Sequence, residues 1–370
     1  MKKIKNHKKL KIAQIAPLWF SIPPKKYGGV ERIVYYLTEE LVRRGHEVTL
    51  FASGDSKTSA RLVAGWPRSL FRERIYNKPI RWGHCVFPLF NFSAAFEAAE
   101  EFDVIQVHEN NTCLSNFFTK FTRTPVVTTV HDPFPLLRDK DRWAVFRKYR
   151  GNNYIALSRS HKNLAKKLGI HFASVVYNGI NIEDFAFKRT DGEYLAWLGR
   201  FDPNKGAREA ILVAQKLKIP LRMAGRVDIN SPVAKEYFFK EIQPRLGPDI
   251  RYLGEVGDKE KSNFLRNAKA LLYPIKWEEP FGLVMVEAQA CGTPVVAFNR
   301  GSVPEVVSHN KTGFVVPTLD KMADAVQKID RISRSACREW VEENFTISRM
   351  VDAYEEVYNA AIKRNKNFLN

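Results

Sequence analysis

Lys276-Trp-Glu-Glu279-Pro-Phe-Gly282-Leu-Val-Met-Val-Glu287-Ala-Gln-Ala-Cys-Gly292-Thr-Pro-Val-Val-Ala297 reads as loop, helix, turn and strand. Pro280 and Gly282 shape a tight loop, and residues 283–291 form a short helix that is apolar on nearly every face. Gly292 and Pro294 end it before a buried strand at 295–298. Such a helix must be buried, so an ionised Glu287 in its middle is costly unless something takes up its charge or offers it hydroxyls. Glu279 stands at the mouth of the same loop. Between the two, the amides of Gly282, Leu283 and Val284 are free donors at a helix start, suited to an anion. The element thus offers a phosphate cradle flanked by two carboxylates, the outline of a nucleotide-sugar site. A core helix whose Glu287 pairs with a lysine or arginine is the other reading of the same residues.

Upstream, Leu198-Gly199-Arg200-Phe-Asp-Pro-Asn-Lys205-Gly206 follows an apolar run and ends at a helix start. A glycine turn there lets Arg200 and Lys205 reach one anion from two sides, and charge-assisted bonds to phosphate are strong. Ordinary solvated loop cations are the plain alternative. Around these loops strands at 194–198, 221–224 and 251–253 alternate with helices near 207–217, 232–242 and 259–267, the pattern of a parallel, doubly wound sheet.

The first half repeats that alternation. A strand at 11–16 leads through a proline-broken loop to Tyr27-Gly28-Gly29. A helix follows, with Val30, Ile33, Val34, Leu37 and Leu41 at helical spacing, then a strand at 48–52. The unit looks like half of a dinucleotide fold but lacks its Gly-x-Gly-x-x-Gly loop. Gly28 and Gly29 permit close backbone approach to a ligand, although turn chemistry alone explains two glycines equally well. Further strands are expected at 104–107, 126–130, 154–157 and 175–177. The second of these runs into His131-Asp132-Pro133, at the strand end where open α/β sheets bind ligands. Residues 53–82 read as one long, basic, poorly periodic segment with interleaved aromatics, placed near an acceptor or a membrane surface. Residues 181–192 read as an interdomain linker.

Taken with Gly301-Ser-Val-Pro-Glu305-Val-Val307 and Thr312-Gly-Phe314, the opening string resembles the signature of glycosyltransferase family 4. The matching positions are Glu279, Pro280, Phe281, Gly282, Glu287, Ala288, Cys291, Gly292, Pro294 and Val295. The resemblance implies an α/β protein of the GT-B fold: two Rossmann-like domains with parallel sheets facing across a cleft, and a last helix, at 350–364, that crosses back to the first domain. The expected division is an acceptor-side domain at 1–185 with the C-terminal helix 346–370, and a donor-binding domain at 186–345. It further implies retaining transfer from a nucleoside diphosphate sugar. Arg200 and Lys205 would hold the diphosphate, and Gly28, Gly29 and the start of helix 283–291 would face it. Glu287 would bind the ribose, Glu279 the sugar hydroxyls near the transferred carbon, and His131 the donor sugar. Ile275 departs from the small polar residues common there, and His-Asp-Pro is one of several family variants at 131–133. Both leave the donor sugar open; residues 27–55 look most like members that use uridine diphosphate glucose.

A glycosidase is the wrong class for these carboxylates. Its two carboxyls flank one bond at roughly 5 to 9 Å, whereas eight residues of helix span about 12 Å. They are better placed on different parts of one long ligand. No Asp-x-Asp motif stands at a strand end, which agrees with an enzyme that needs no metal and no cofactor. A nucleotide-sugar epimerase on the same fold, which needs no acceptor, and a non-catalytic polyanion-binding protein are the alternatives.

Net charge is +19, with 30 Lys+Arg against 16 Asp+Glu up to Asp184 and 29 against 24 beyond it. The first half is therefore expected to meet something anionic, a membrane surface or an acidic acceptor, or simply to be a solvated basic face. No nucleic-acid recognition pattern appears. The four cysteines show no paired or metal-like spacing, which suits a reducing cytoplasm. No apolar run approaches the length of a membrane span, and the basic leader 1–10 reads as a mobile tail. A cytoplasmic protein peripheral to the inner face of the membrane is the corresponding expectation.

Overall fold

The computed structural model describes residues 9–73, 81–109, 113–133 and 140–369. Its chain forms two parallel sheets. The first follows β1 (Lys11–Ile15), α1 (Gly29–Arg43), β2 (Glu47–Ser53), β3 (Arg61–Trp66), α2 (Arg81–Glu97), β4 (Val104–Glu109), β5 (Val126–Val130), α3 (Lys140–Lys148), β6 (Asn153–Ala156), α4 (Arg159–Lys167) and β7 (Phe172–Val175). Its strand order is β3-β2-β1-β4-β5-β6-β7. The second is built from β8 (Tyr194–Leu198), α5 (Ala207–Leu217), β9 (Leu221–Ala224), α6 (Pro232–Tyr237), β10 (Ile250–Tyr252), α7 (Asp258–Arg266), β11 (Ala268–Tyr273), α8 (Leu283–Ala290), β12 (Val295–Phe298), α9 (Val303–Val306) and β13 (Gly313–Val316). Its order is β10-β9-β8-β11-β12-β13. After it come α10 (Leu319–Val326), α11 (Arg334–Asn344) and α12 (Ile347–Leu369).

Both orders run outward in two directions from a central pair, β1/β4 in one sheet and β8/β11 in the other. Crossovers from those pairs leave a crevice at the carboxyl strand ends, where such sheets bind ligands. The two crevices face each other. The chain passes between domains twice, side by side: Ile180 N–H donates to Phe345 O at 2.9 Å, and Ile180 bridges Thr346. Directly after the second crossing, α12 returns to the first domain. Met350, Val351, Tyr354, Tyr358 and Ala361 bury one helical face against Ile12, Ile33, Leu37 and Val104, as i, i+3, i+4 spacing requires.

Three expectations are corrected here. Residues 53–82 are not one irregular segment, since 61–66 form the edge strand β3 and α2 starts at 81. Gly65 belongs to the strand because α2 packs on it: a Cβ there would lie 2.6 Å from Asn91 Cα. The strand expected at 175–177 lies earlier, at Phe172–Val175, so Val176 and Tyr177 already belong to the approach to the crossing. In the presumed linker 181–192, Phe185 is buried in the second domain, so its first half is packed structure. The leader 1–8, and Arg74, Tyr76 and Lys78 of the basic segment, lie outside the described residues.

Candidate functional site

The crevices enclose a cavity of about 280 Å³. From the first domain it receives Gly28 and Gly29 at the start of α1, and His131 just after β5. From the second it receives Arg200 after β8, Lys205 at the end of a 3-10 turn, Glu279, and Gly282, Leu283, Val284 and Glu287 of the α8 element. All ten residues singled out in the sequence therefore line one cavity, although they come from distant parts of the chain.

The loops carrying them have local causes. Asp202 caps the turn Pro203–Lys205 through Asn204 N–H at 2.9 Å, and Trp197 Nε1 donates to Lys205 O at 3.1 Å. Gly282 sits at φ 80°, a left-handed conformation that favours glycine. It opens α8 without a side-chain cap; Met285 N–H returns to Gly282 O at 3.0 Å, and the amides ahead of it are the ones placed to meet an anion.

Lys205 Nζ donates to Glu279 Oε2 at 2.7 Å, and the same oxygen accepts from Tyr273 Oη and Trp277 Nε1, each at 2.8 Å. Burial pushes the Glu279 carboxyl up, but the Lys205 charge and these three bonds outweigh it and hold its pKa below the ordinary 4.5. Glu279 is thus an ionised, fixed acceptor. Lys205 also lies 4.5 Å from the Trp277 ring centroid. Arg200 is freer: its guanidinium is 3.6 Å from Asp202 and 37% exposed. Two cations and an amide-rich helix start thus converge with a carboxylate, a set whose chemistry suits a diphosphate and a neighbouring hydroxyl.

Glu287 pairs with Lys261 of α7, as the core-helix reading requires, yet both also line the cavity. Lys261 is itself 4.0 Å from Asp258, and Asp258 meets Arg32 of α1 across the crevice at 2.8 Å. The carboxylate expected to bind ribose thus ends a four-member charge row. Opposite it, His131 Nε2 lies 3.0 Å from His108 Nδ1. Burial, with a smaller contribution from His161, lowers the His131 pKa to about 3, so the ring is neutral.

Lys261, Arg32, Tyr273, Trp277 and His108 are the site residues that sequence reasoning missed. Trp277 had a signal, standing beside Glu279 in the deciding stretch, and Tyr273 lies just ahead of it at the end of β11. Lys261 and Arg32 had only their helical spacing, which a solvated face displays equally.

Two family models match nearly end to end: Glycosyltransferase Family 4 over residues 27–184, and Glycosyl transferases group 1 over 180–344. A phosphatidyl-myo-inositol mannosyltransferase of Mycolicibacterium smegmatis is 28% identical over 326 residues, covering 84% of this chain and 82% of that one. The sucrose-phosphate synthase of Thermosynechococcus elongatus superposes with a TM-score of 0.76 at 22% identity, over 96% of this chain and 100% of that one. Anabaena Alr3699/HepE in complex with UDP-glucose superposes with a TM-score of 0.69 at 18% identity, over 95% and 100% of the two chains. The last two likenesses are of fold.

Proposed function

This chain belongs to glycosyltransferase family 4, and from that premise we propose that it moves a hexose, with retention, from a nucleoside diphosphate sugar to an acceptor hydroxyl. The observation that carries the reading is the shared cavity, in which the cations Arg200 and Lys205 and the carboxylates Glu279 and Glu287 of the second domain face Gly28, Gly29 and His131 of the first. The acceptor O–H attacks the anomeric carbon as its bond to the diphosphate oxygen breaks. The proton passes to that departing oxygen. Glu279, with one oxygen engaged by three donors, holds hydroxyls and positive charge rather than attacking. Arg200, Lys205 and the start of α8 take up the charge of the leaving diphosphate, so no metal is required. A neutral His131 adds no repulsion to an oxocarbenium-like centre.

UDP-glucose is the favoured donor, supported by the early motif and by the ligand of the Anabaena neighbour. A mannose donor is the second reading, favoured by the names of the curated relatives. The basic excess of the first half, with Phe121 85% exposed between Lys120 and Thr122, supports an acceptor presented at an anionic surface and peripheral attachment there. Among the described residues no helix is long and apolar enough to cross a membrane.

A donor screen by nucleoside diphosphate release tests this. One nucleotide sugar should release its diphosphate faster when acceptor is added, and should continue in excess chelator. Conversion of the sugar with no acceptor would identify an epimerase. Silence with every donor would reject the transferase.

A further inference from the structure

Parallel strands covered on both faces are ordinarily apolar throughout, yet the centre of the first sheet holds a polar thread. Gln14 lies on β1 and His108 on β4, and both are buried. Tyr358, on the returning helix α12, is within 3.1 Å of Gln14 Nε2. Gln14 Oε1 is 2.9 Å from His108 Nε2, and His108 Nδ1 is 3.0 Å from His131 Nε2. The two imidazoles meet edge to edge, with centroids 5.3 Å apart and planes 28° apart. Buried polar groups are retained at a cost, and a continuous thread ending at a site residue is more than a way of satisfying them.

The thread has a direction. As placed, Gln14 donates its amide N–H to Tyr358 Oη and turns its oxygen to His108, an order that puts the proton on His108 Nε2. A neutral imidazole has one N–H, which leaves His108 Nδ1 a bare acceptor. His131 Nε2 must then be the donor, and His131 Nδ1 keeps its lone pair. Burial keeps His108 far below its ordinary pKa and His131 at about 3, so protonation does not scramble this order near neutral pH.

We propose that His108 is a positioning residue for the transfer reaction: anchored through Gln14 to Tyr358 of α12, it fixes the ring plane of His131 and holds it as the Nε2–H tautomer. This rests on the transferase reading for its consequence in turnover, but not for the tautomer itself.

Two measurements test it. In protein labelled with ¹⁵N-histidine, His131, assigned by the signal lost in His131→Ala, should be neutral at pH 5 with its proton on Nε2. His108→Phe keeps an aromatic ring and removes the acceptor; it should lower kcat by about 100-fold, the scale of a small misplacement at a reacting centre. The donor KM should change far less. His108→Asn puts an amide oxygen near the Nδ1 position and should recover much of the loss, which filling space alone does not predict. His131 as the Nδ1–H tautomer, or His108→Phe turning over like the unaltered protein, would overturn the proposal. Should His108→Phe fail to fold, His108→Asn and the tautomer decide. If no donor is turned over at all, the transferase reading fails and the tautomer measurement still judges the positioning claim.

Discussion

Glu279 owes its ionised state to Lys205. Burial opposes ionisation of Glu279, and the Lys205 charge is the largest effect opposing burial. A carboxyl held below its ordinary pKa of 4.5 stabilises the fold fully above that value, and this is lost as pH falls through the folded pKa. Lys205→Ala removes the opposing charge, and desolvation then lifts the carboxyl. The acid limb of kcat/KM should move upward from below 4.5, and the loss at its plateau should be about 2–5 kcal/mol of transition-state stabilisation. A pH–rate profile checks both, and an unmoved acid limb would break the link between the pair. At this scale the sequence was informative where residue type alone dictates chemistry: ten positions chosen for charge, amide or glycine character share one cavity. It was silent where meaning comes from a partner. Arg32 and Asp258 are ordinary helix residues until the fold sets them 2.8 Å apart, and His108 in an apolar strand reads as a core histidine until His131 is beside it.

The helix α8 and its glycine were legible because the sequence contains both halves of the argument: an all-apolar helix around a carboxylate, and a Pro-Phe-Gly entry. Other elements were not. Pro88 falls inside α2, where the usual rule ends a helix. The partly exposed edge strand β3 lacks a buried run, so tertiary packing decides it. Gly282 is where element and site meet. A Cβ added there would lie 2.6 Å from Met285 Cε and 3.2 Å from Tyr273 Oη. The methionine end can move aside, but the left-handed backbone remains costly by about 1–2 kcal/mol. The tyrosine hydroxyl is also a donor to Glu279. Gly282→Ala should therefore lower the unfolding free energy, read from urea titration, by that amount and reduce turnover beyond what the lost stability explains. Stability equal to the unaltered protein would show that the φ of 80° is not needed.

The whole molecule is two halves joined at one place and touching at several. The crossings lie together at Ile180 and Thr346, with Tyr177, Phe281 and Phe345 packed around them. Beside this pivot, Glu305 of the second domain accepts from Arg159 N–H at 2.8 Å and Ser160 N–H at 2.7 Å, at the start of α4, and from Tyr177 Oη at 2.7 Å. Away from it the contacts are lighter. Among the described residues they include the Arg32–Asp258 pair, Tyr27 N–H on Glu255 at 3.2 Å, and the Arg226 guanidinium 4.2 Å from the Phe71 ring centroid. Partly exposed ion pairs contribute about 0–1 kcal/mol each, and a cation–π contact roughly 0.5–1 kcal/mol. Removing two of them shifts an open–closed equilibrium by about tenfold, since 1.4 kcal/mol is a factor of ten. A nucleotide sugar touching Gly28, His131, Lys205 and Glu287 together would restore the closed population, because only that form presents both sets. We therefore expect the radius of gyration of Arg32→Ala/Phe71→Ala to exceed that of the unaltered protein in small-angle scattering without ligand. Saturating donor should bring the two together, while Glu305→Gln, altered beside the pivot, should change the ligand-free value less. Identical profiles for all three proteins, with and without a donor shown to be turned over, would mean that the halves do not hinge about Ile180 and Thr346. The site would then have to admit its donor through the cleft as it stands.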